Sequence, residues 1–195
     1  RLFEHNNWAN QNIIETCLTL TDEQLDAAPQ SATEGNIRST LSHLVSAQYG
    51  YLRLLSLPLE ERKDRVTVEF ADLHESLMAS GEKLLELARN VSRLPDSRLQ
   101  TRDGYYVEPW VIMVQIINHA TEHREQIKSM LTALGVTPPS IDGWDYGEVA
   151  NALLKRHANS RSYTLGDISL PRVERVRADL ADPRANSLLL NAEQM

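Results

Sequence analysis

Residues 109–134 read PWVIMVQIINHATEHREQIKSMLTAL, and this stretch decides the fold. Ile112, Ile116, Ala120, Ile127, Met130 and Leu134 recur at helical spacings. At about 100° per residue they form one apolar stripe. Asn118, Glu125, Lys128 and Ser129 lie off it. Glu108-Pro109 opens the helix, because proline at a first helical position lacks only an N–H that would have no partner there. Gly135, then Pro138 and Pro139, closes it. His119 and His123 fall on the apolar stripe rather than the polar face. Residues four apart sit one above the other, so their imidazoles can converge on a single ion without bending the helix.

Outward from this stretch, the same period runs through residues 2–20, 37–56 and 68–92, and no segment alternates like a strand. Thr21-Asp22-Glu23-Gln24 has the pattern of a capping box and predicts a short helix through Ala27, ended by Pro29. Pro58 and Pro95 close the second and third long segments, and another short helix is expected from Tyr146 to Arg156. Four long helices without strands predict an all-α four-helix bundle with short extra helices, either up-and-down or once-crossed. Beyond Ala158 the composition shifts to Arg, Ser, Asp and Asn, with Pro171 and Pro183. Residues 1–157 are therefore read as the bundle and 158–195 as a C-terminal extension, partly disordered, with one helix near Val173 to Leu180.

A chain of 195 residues, 42% hydrophobic and 24% charged, suits one globular domain. Its net charge of −7 argues against nucleic acid as a partner, since neutralising phosphates needs clustered Lys and Arg. No apolar run approaches the roughly 20 residues that span a bilayer, and no signal sequence opens the chain, so the expected compartment is the cytoplasm. The single cysteine, Cys17, shares an apolar stripe with Ile13 and Leu20 and is expected to be a buried, inert thiol.

The second long segment carries a broad apolar arc, from Gly50 and Leu54 through Tyr51 to Ile37, Leu41, Leu44 and Leu52. An arc that wide predicts cover on two sides, the second by another copy of the chain, hence a homodimer. His43 shares one edge of the arc with the small residues Ala47 and Gly50, which leave room for an imidazole facing inward. Asn6 and Asn10 fall beside Ala9, Ile13 and Cys17, and buried amides need partners. Inward histidines and amides together read as a wet, metal-centred pocket. His74 lies on the apolar side of the third segment with Phe70, Leu77 and Leu84, whereas His5 and His157 are expected to be solvated. A lone histidine on an apolar face is more often a hydrogen-bonded core residue than a ligand. A pair is a stronger signal, because two uncompensated buried imidazoles cost folding free energy. His119-Ala120-Thr121-Glu122-His123 also matches the H-x-x-E-H arrangement of inverted zinc peptidases, with Glu174 or Glu193 as the candidate third ligand.

Three blocks carry a family resemblance: Asn7-Trp8-Ala9-Asn10; Gly35-Asn36-Ile37-Arg38-Ser39-Thr40-Leu41-Ser42-His43-Leu44; and Ile117-Asn118-His119-Ala120-Thr121-Glu122-His123-Arg124-Glu125-Gln126-Ile127, followed by Leu134-Gly135-Val136-Thr137-Pro138-Pro139, Asp142 and Tyr146. Over about residues 1–147 the chain resembles the DinB-like (YfiT-like) family of four-helix-bundle metalloproteins. The resemblance implies a divalent transition metal, zinc or nickel among others, held by one histidine of the second helix and two of the last long helix. Carried over, these are His43, His119 and His123. It displaces the peptidase reading of Glu122.

Three neutral nitrogen ligands leave such an ion an open position, as in catalytic zinc sites. Relatives include transferases and isomerases that use low-molecular-weight thiols, and others described as metal-dependent hydrolases. The resemblance thus implies activation of a small thiol cofactor, with Asn10 beside it, for transfer to a small electrophilic substrate. The alternatives are hydrolysis, with Glu122, Asn10 or His74 handling the proton, and a non-catalytic, stress-related dimer in which the ion staples helices together. The pattern singles out no catalytic residue.

Overall fold

In the computed structural model, which describes residues 1–28, 35–62 and 68–153, the helical periods become α1 (Leu2–Cys17), α2 (Asp22–Leu25), α3 (Ile37–Ser56), α4 (Leu73–Arg89), α5 (Pro109–Ala133) and α6 (Gly143–Val149). The expected extension at 158–195, its helix near 173–180, and the residues His157, Glu174 and Glu193 lie outside the described residues. Side chains start several of the helices. The Thr21 hydroxyl accepts the Gln24 N–H and the Gln24 amide oxygen accepts the Thr21 N–H, so the capping box forms, although α2 stops at Leu25 rather than Ala27. The Asn36 amide oxygen accepts the Ser39 N–H at 2.8 Å and starts α3. Caps of this kind contribute about 1 kcal/mol each.

Two expectations need correction. The last short helix begins at Gly143, not Tyr146, because the Asp142 carboxylate accepts the N–H groups of Trp144 and Asp145 at 2.7 and 3.0 Å. It ends at Val149, short of Arg156, and Asn151 follows with φ of 53°. A small antiparallel hairpin, β1 (Leu99–Gln100) and β2 (Tyr106–Val107), also joins α4 to α5, with Leu99 opposite Val107. Strands of two residues are too short to show alternation in a sequence.

The core resolves the topology. One apolar cluster joins Ile13 of α1, Leu41 of α3, Leu73 of α4 and Ile127 of α5; a second joins Phe3, Leu55, Leu84 and Ile112 of the same four helices. Helices α1 and α5 therefore run in one direction, and α3 and α4 in the other. Neighbours around the bundle are α1, α4, α3 and α5, so α1 and α3 face each other across a diagonal. This is the once-crossed arrangement, in which the chain returns the length of the bundle between α3 and α4.

The wide apolar arc of α3 follows from that placement. Helix α3 packs against both α4 and α5, and Tyr51 and Leu54 lie against the second cluster, while Gly50 is exposed. Its breadth is covered within the bundle and calls for no second copy. Cys17 is fully buried, and burial pushes its thiol up to about 12, consistent with an inert side chain. Among the described residues no helix is long and apolar enough to cross a membrane.

Candidate metal centre

Antiparallel packing of α3 on α5 sets His43 opposite the turn that carries His119 and His123. The His43 and His119 Nε2 atoms are 3.0 Å apart, those of His123 and His119 are 3.1 Å apart, and the three histidines bring a ligand atom each within 4.8 Å of one another. The rings meet at steep angles, with interplanar values of 49°, 79° and 73°. Tyr51 sets its ring edge-on to His119 at 5.7 Å between centroids.

Hydrogen bonding among the rings does not account for this convergence. Gln126, one turn beyond His123, places its amide oxygen 2.7 Å from His123 Nδ1. That contact makes Nδ1 the protonated nitrogen and leaves the Nε2 lone pair of His123 aimed at the cluster. His119 Nε2 then faces two nitrogens, and its single site, whether a proton or a lone pair, serves only one of them well. A cation at the centre serves all three lone pairs. Nitrogens bound tetrahedrally at 2.0–2.1 Å from an ion stand roughly 3.3 Å apart, close to the separations found here, so these residues fit a divalent metal.

The electrostatics agree. Burial first, then the nearby His123 and His43, push the His119 imidazole down to about 4, which keeps it neutral at physiological pH with a lone pair available. In an unfolded chain it would titrate near its ordinary 6.5. The unfolded state then binds more protons as pH falls, so the neutral buried imidazole stabilises the fold above about 6.5 and loses that contribution toward 4. Urea unfolding of metal-free protein between pH 7 and 4.5 is expected to show this decline. In His119→Ala it is expected to be smaller, and an identical decline in both proteins would contradict the assignment.

The inward amides belong to a buried hydrogen-bonded network. Asn10 Nδ2 donates to Gln48 Oε1 across the diagonal at 3.0 Å, and Gln48 Nε2 donates to the Leu77 carbonyl and the Ser80 hydroxyl of α4. On the other side Arg124 of α5 donates to Asn6 Oδ1 at 2.8 Å and Asn10 Oδ1 at 2.6 Å. One buried hydrogen-bonded chain thus links all four long helices. Both ends of the Asn10 amide are engaged within it.

Other candidates fall elsewhere. His74 is half-buried and sits 3.9 Å from Glu15, apart from the three clustered histidines. His5 is not simply solvated: its Nε2 is 2.9 Å from the Ile141 carbonyl, and its ring packs with Trp8 and Tyr146 where α6 returns to α1. Glu122 is exposed. Sequence reasoning overlooked Gln126 and Arg124. For Gln126 the signal existed, since i and i+3 share a helix face. Nothing in the pattern marks Arg124, because arginines are rarely buried.

A family model described as the DinB family matches residues 1–159. The chain belongs to the DinB family. A DinB-family member from Exiguobacterium sibiricum, known from a crystal structure, is similar to this DinB chain with a TM-score of 0.54 and 19% identity, over 69% of this chain and 89% of that one. At that identity the likeness concerns the fold. No curated protein matches the chain. Family membership and the three converging histidines together fit metal binding.

Proposed function

We propose that His43, His119 and His123 hold one divalent transition metal, zinc or nickel, and that the centre activates a small thiol for transfer to an electrophilic small molecule. The observation that carries the metal is the convergence of three Nε2 atoms, with that of His119 facing the other two at 3.0 and 3.1 Å. When bound, the ion supplies Lewis acidity that lowers the pKa of a thiol or water at its open position. The chain's own residues supply the rest. Gln126 fixes the tautomer of His123, and Tyr51 braces the His119 ring. Asn10, expected beside the thiol, holds Arg124 through its amide oxygen.

Thiol chemistry is favoured over hydrolysis because, among the described residues, the clustered group contains histidines and no carboxylate that could serve as a general base. Hydrolysis needs a general base within hydrogen-bond reach of the attacking water. Glu122 is exposed, His74 faces Glu15, and Asn10 is engaged at both ends, so none of the three expected proton handlers offers one. Association of two copies belongs to the same proposal. Its support is an exposed apolar pair one turn apart on α5, Trp110 at 64% and Val114 at 56% exposure. Light scattering of the full chain is expected to give twice the chain mass, and a monomer would contradict it.

Titrating cobalt-substituted protein with small thiols is expected to raise a sulfur-to-metal charge-transfer band. Its absence with every thiol tried would end the thiol reading while leaving the metal site standing. Gln126→Leu removes the acceptor that orients His123. Losses of such supporting partners typically weaken metal affinity by about 10- to 100-fold, and competition with a chromogenic chelator measures it. Unchanged affinity would mean that Gln126 does not orient the ligand.

A further inference from the structure

Asn7 stands in the first of the sequence blocks that carry the family resemblance, yet neither the three-histidine cluster nor the buried hydrogen-bonded chain uses it. Its Nδ2 and Oδ1 are both buried, and neither has a hydrogen-bond partner among the described residues. A buried donor and a buried acceptor left unmade each cost folding free energy, so the pair calls for an explanation. Asn7 and Asn10 are three apart on α1 and share a face of that helix. From that face the Asn7 amide reaches α4 at Gly81, which is buried. A Cβ at Gly81 would lie 3.0 Å from Asn7 Oδ1 and 3.1 Å from Nδ2, so the absent side chain is what lets the amide approach α4.

A cavity of about 10 Å³ adjoins this amide, with Asn7, Asn10, Gln48, Leu77 and Gly81 among its walls and the exposed Glu82 beside them. Room of that size suits one water molecule and nothing larger. The chemistry of the walls narrows the occupant further. Asn7 presents a donor and an acceptor together, so the occupant must accept from Nδ2 and donate to Oδ1. A simple cation would serve only the oxygen, and a simple anion only the nitrogen. Two neighbours have capacity to spare. Gln48 Oε1 carries two lone pairs and accepts from Asn10, whose Nδ2 carries two hydrogens and gives one of them to Gln48.

We propose that this cavity is a binding site for one structural water molecule, held by the Asn7 amide and joined to the Asn10 and Gln48 pair. Buried waters typically make about three hydrogen bonds to polar groups that would otherwise go unpaired, and this site offers that many. The water brings Asn7 into the hydrogen-bonded chain that links the four long helices. It also steadies the Asn10 amide, whose oxygen accepts from Arg124. The site is separate from the three histidines and is occupied whether or not they hold a metal.

The experiment is a high-resolution crystal structure of the full-length protein beside one of Asn7→Leu, which keeps the shape of the side chain and removes both polar atoms. The wild type is expected to show one ordered water within about 2.7–3.2 Å of the Asn7 amide and of Gln48 Oε1 or Asn10 Nδ2. Asn7→Leu is expected to lose that water and to keep the bond between Asn10 and Gln48. A wild-type cavity without water density overturns the proposal, as does an Asn7 amide paired with protein groups instead. A water that stays in place in Asn7→Leu overturns it too. If Asn7→Leu does not fold, the nuclear Overhauser effect from water to the Asn7 Nδ2 hydrogens of wild type decides. A long-lived bound water gives that effect a sign opposite to its rotating-frame counterpart, and equal signs or no effect overturn the site.

Discussion

His119→Ala is expected to lower metal affinity by at least a hundredfold, on the order of 3 kcal/mol, and to leave the purified protein nearly metal-free. His119 occupies the middle of the cluster, with contacts of 3.0 and 3.1 Å to the other two Nε2 atoms. Removing it leaves His43 and His123 without the nitrogen both of them face, and two ligands hold a divalent ion poorly. His43→Ala is expected to act in the same direction, since it alone ties α3 to the site. Secondary structure should survive both changes, because the apolar clusters of α3 and α5 do not include these side chains. Elemental analysis of wild type and variants, alongside circular dichroism, checks the prediction. Equal metal content in all of them would place the metal elsewhere.

The second large effect concerns stability. Arg124→Met is expected to destabilise the metal-free protein by about 3 kcal/mol, because the Asn6 and Asn10 oxygens both lose a buried donor and each loss costs about 1–3 kcal/mol. The methionine retains much of the arginine's aliphatic stem, so little of the loss comes from packing. Burial already holds the arginine down to about 10, a sign that its desolvation is incompletely repaid. Relief of that penalty offsets part of the loss and keeps the expectation at a few kcal/mol. Urea unfolding reads it as a lower midpoint at unchanged slope. A loss below about 1 kcal/mol would show that the two amides find other partners.

These two residues also mark how far the sequence could be read. The fold was legible because α5 repeats its apolar residues over 25 positions and prolines punctuate the other segments. His119 and His123 were legible as a pair because four residues make about one helical turn. His43 lies 76 positions from His119, and helical periodicity says nothing about which helices become neighbours. It entered through the family resemblance, and the crossed topology then supplied the physical reason. The amides were read as inward correctly, while their partners Gln48 and Arg124 were not legible, because a helical wheel gives a direction and no partner. Arg124 was invisible for the opposite reason: its type predicts the surface, and only the oxygens of Asn6, Asn10 and Thr121 make its burial tolerable.

The breadth of the α3 arc shows the same limit from another side. An apolar face requires cover, and the sequence cannot say whether that cover comes from the same chain. Here α4 and α5 provide it.

X-ray absorption at the metal edge of the loaded, full-length protein tests the central claim most directly. The account predicts about one ion per chain with three imidazole nitrogens at about 2.0–2.1 Å and at least one further light-atom ligand. A spectrum with one imidazole or none, or a protein that takes up no divalent ion, would contradict it.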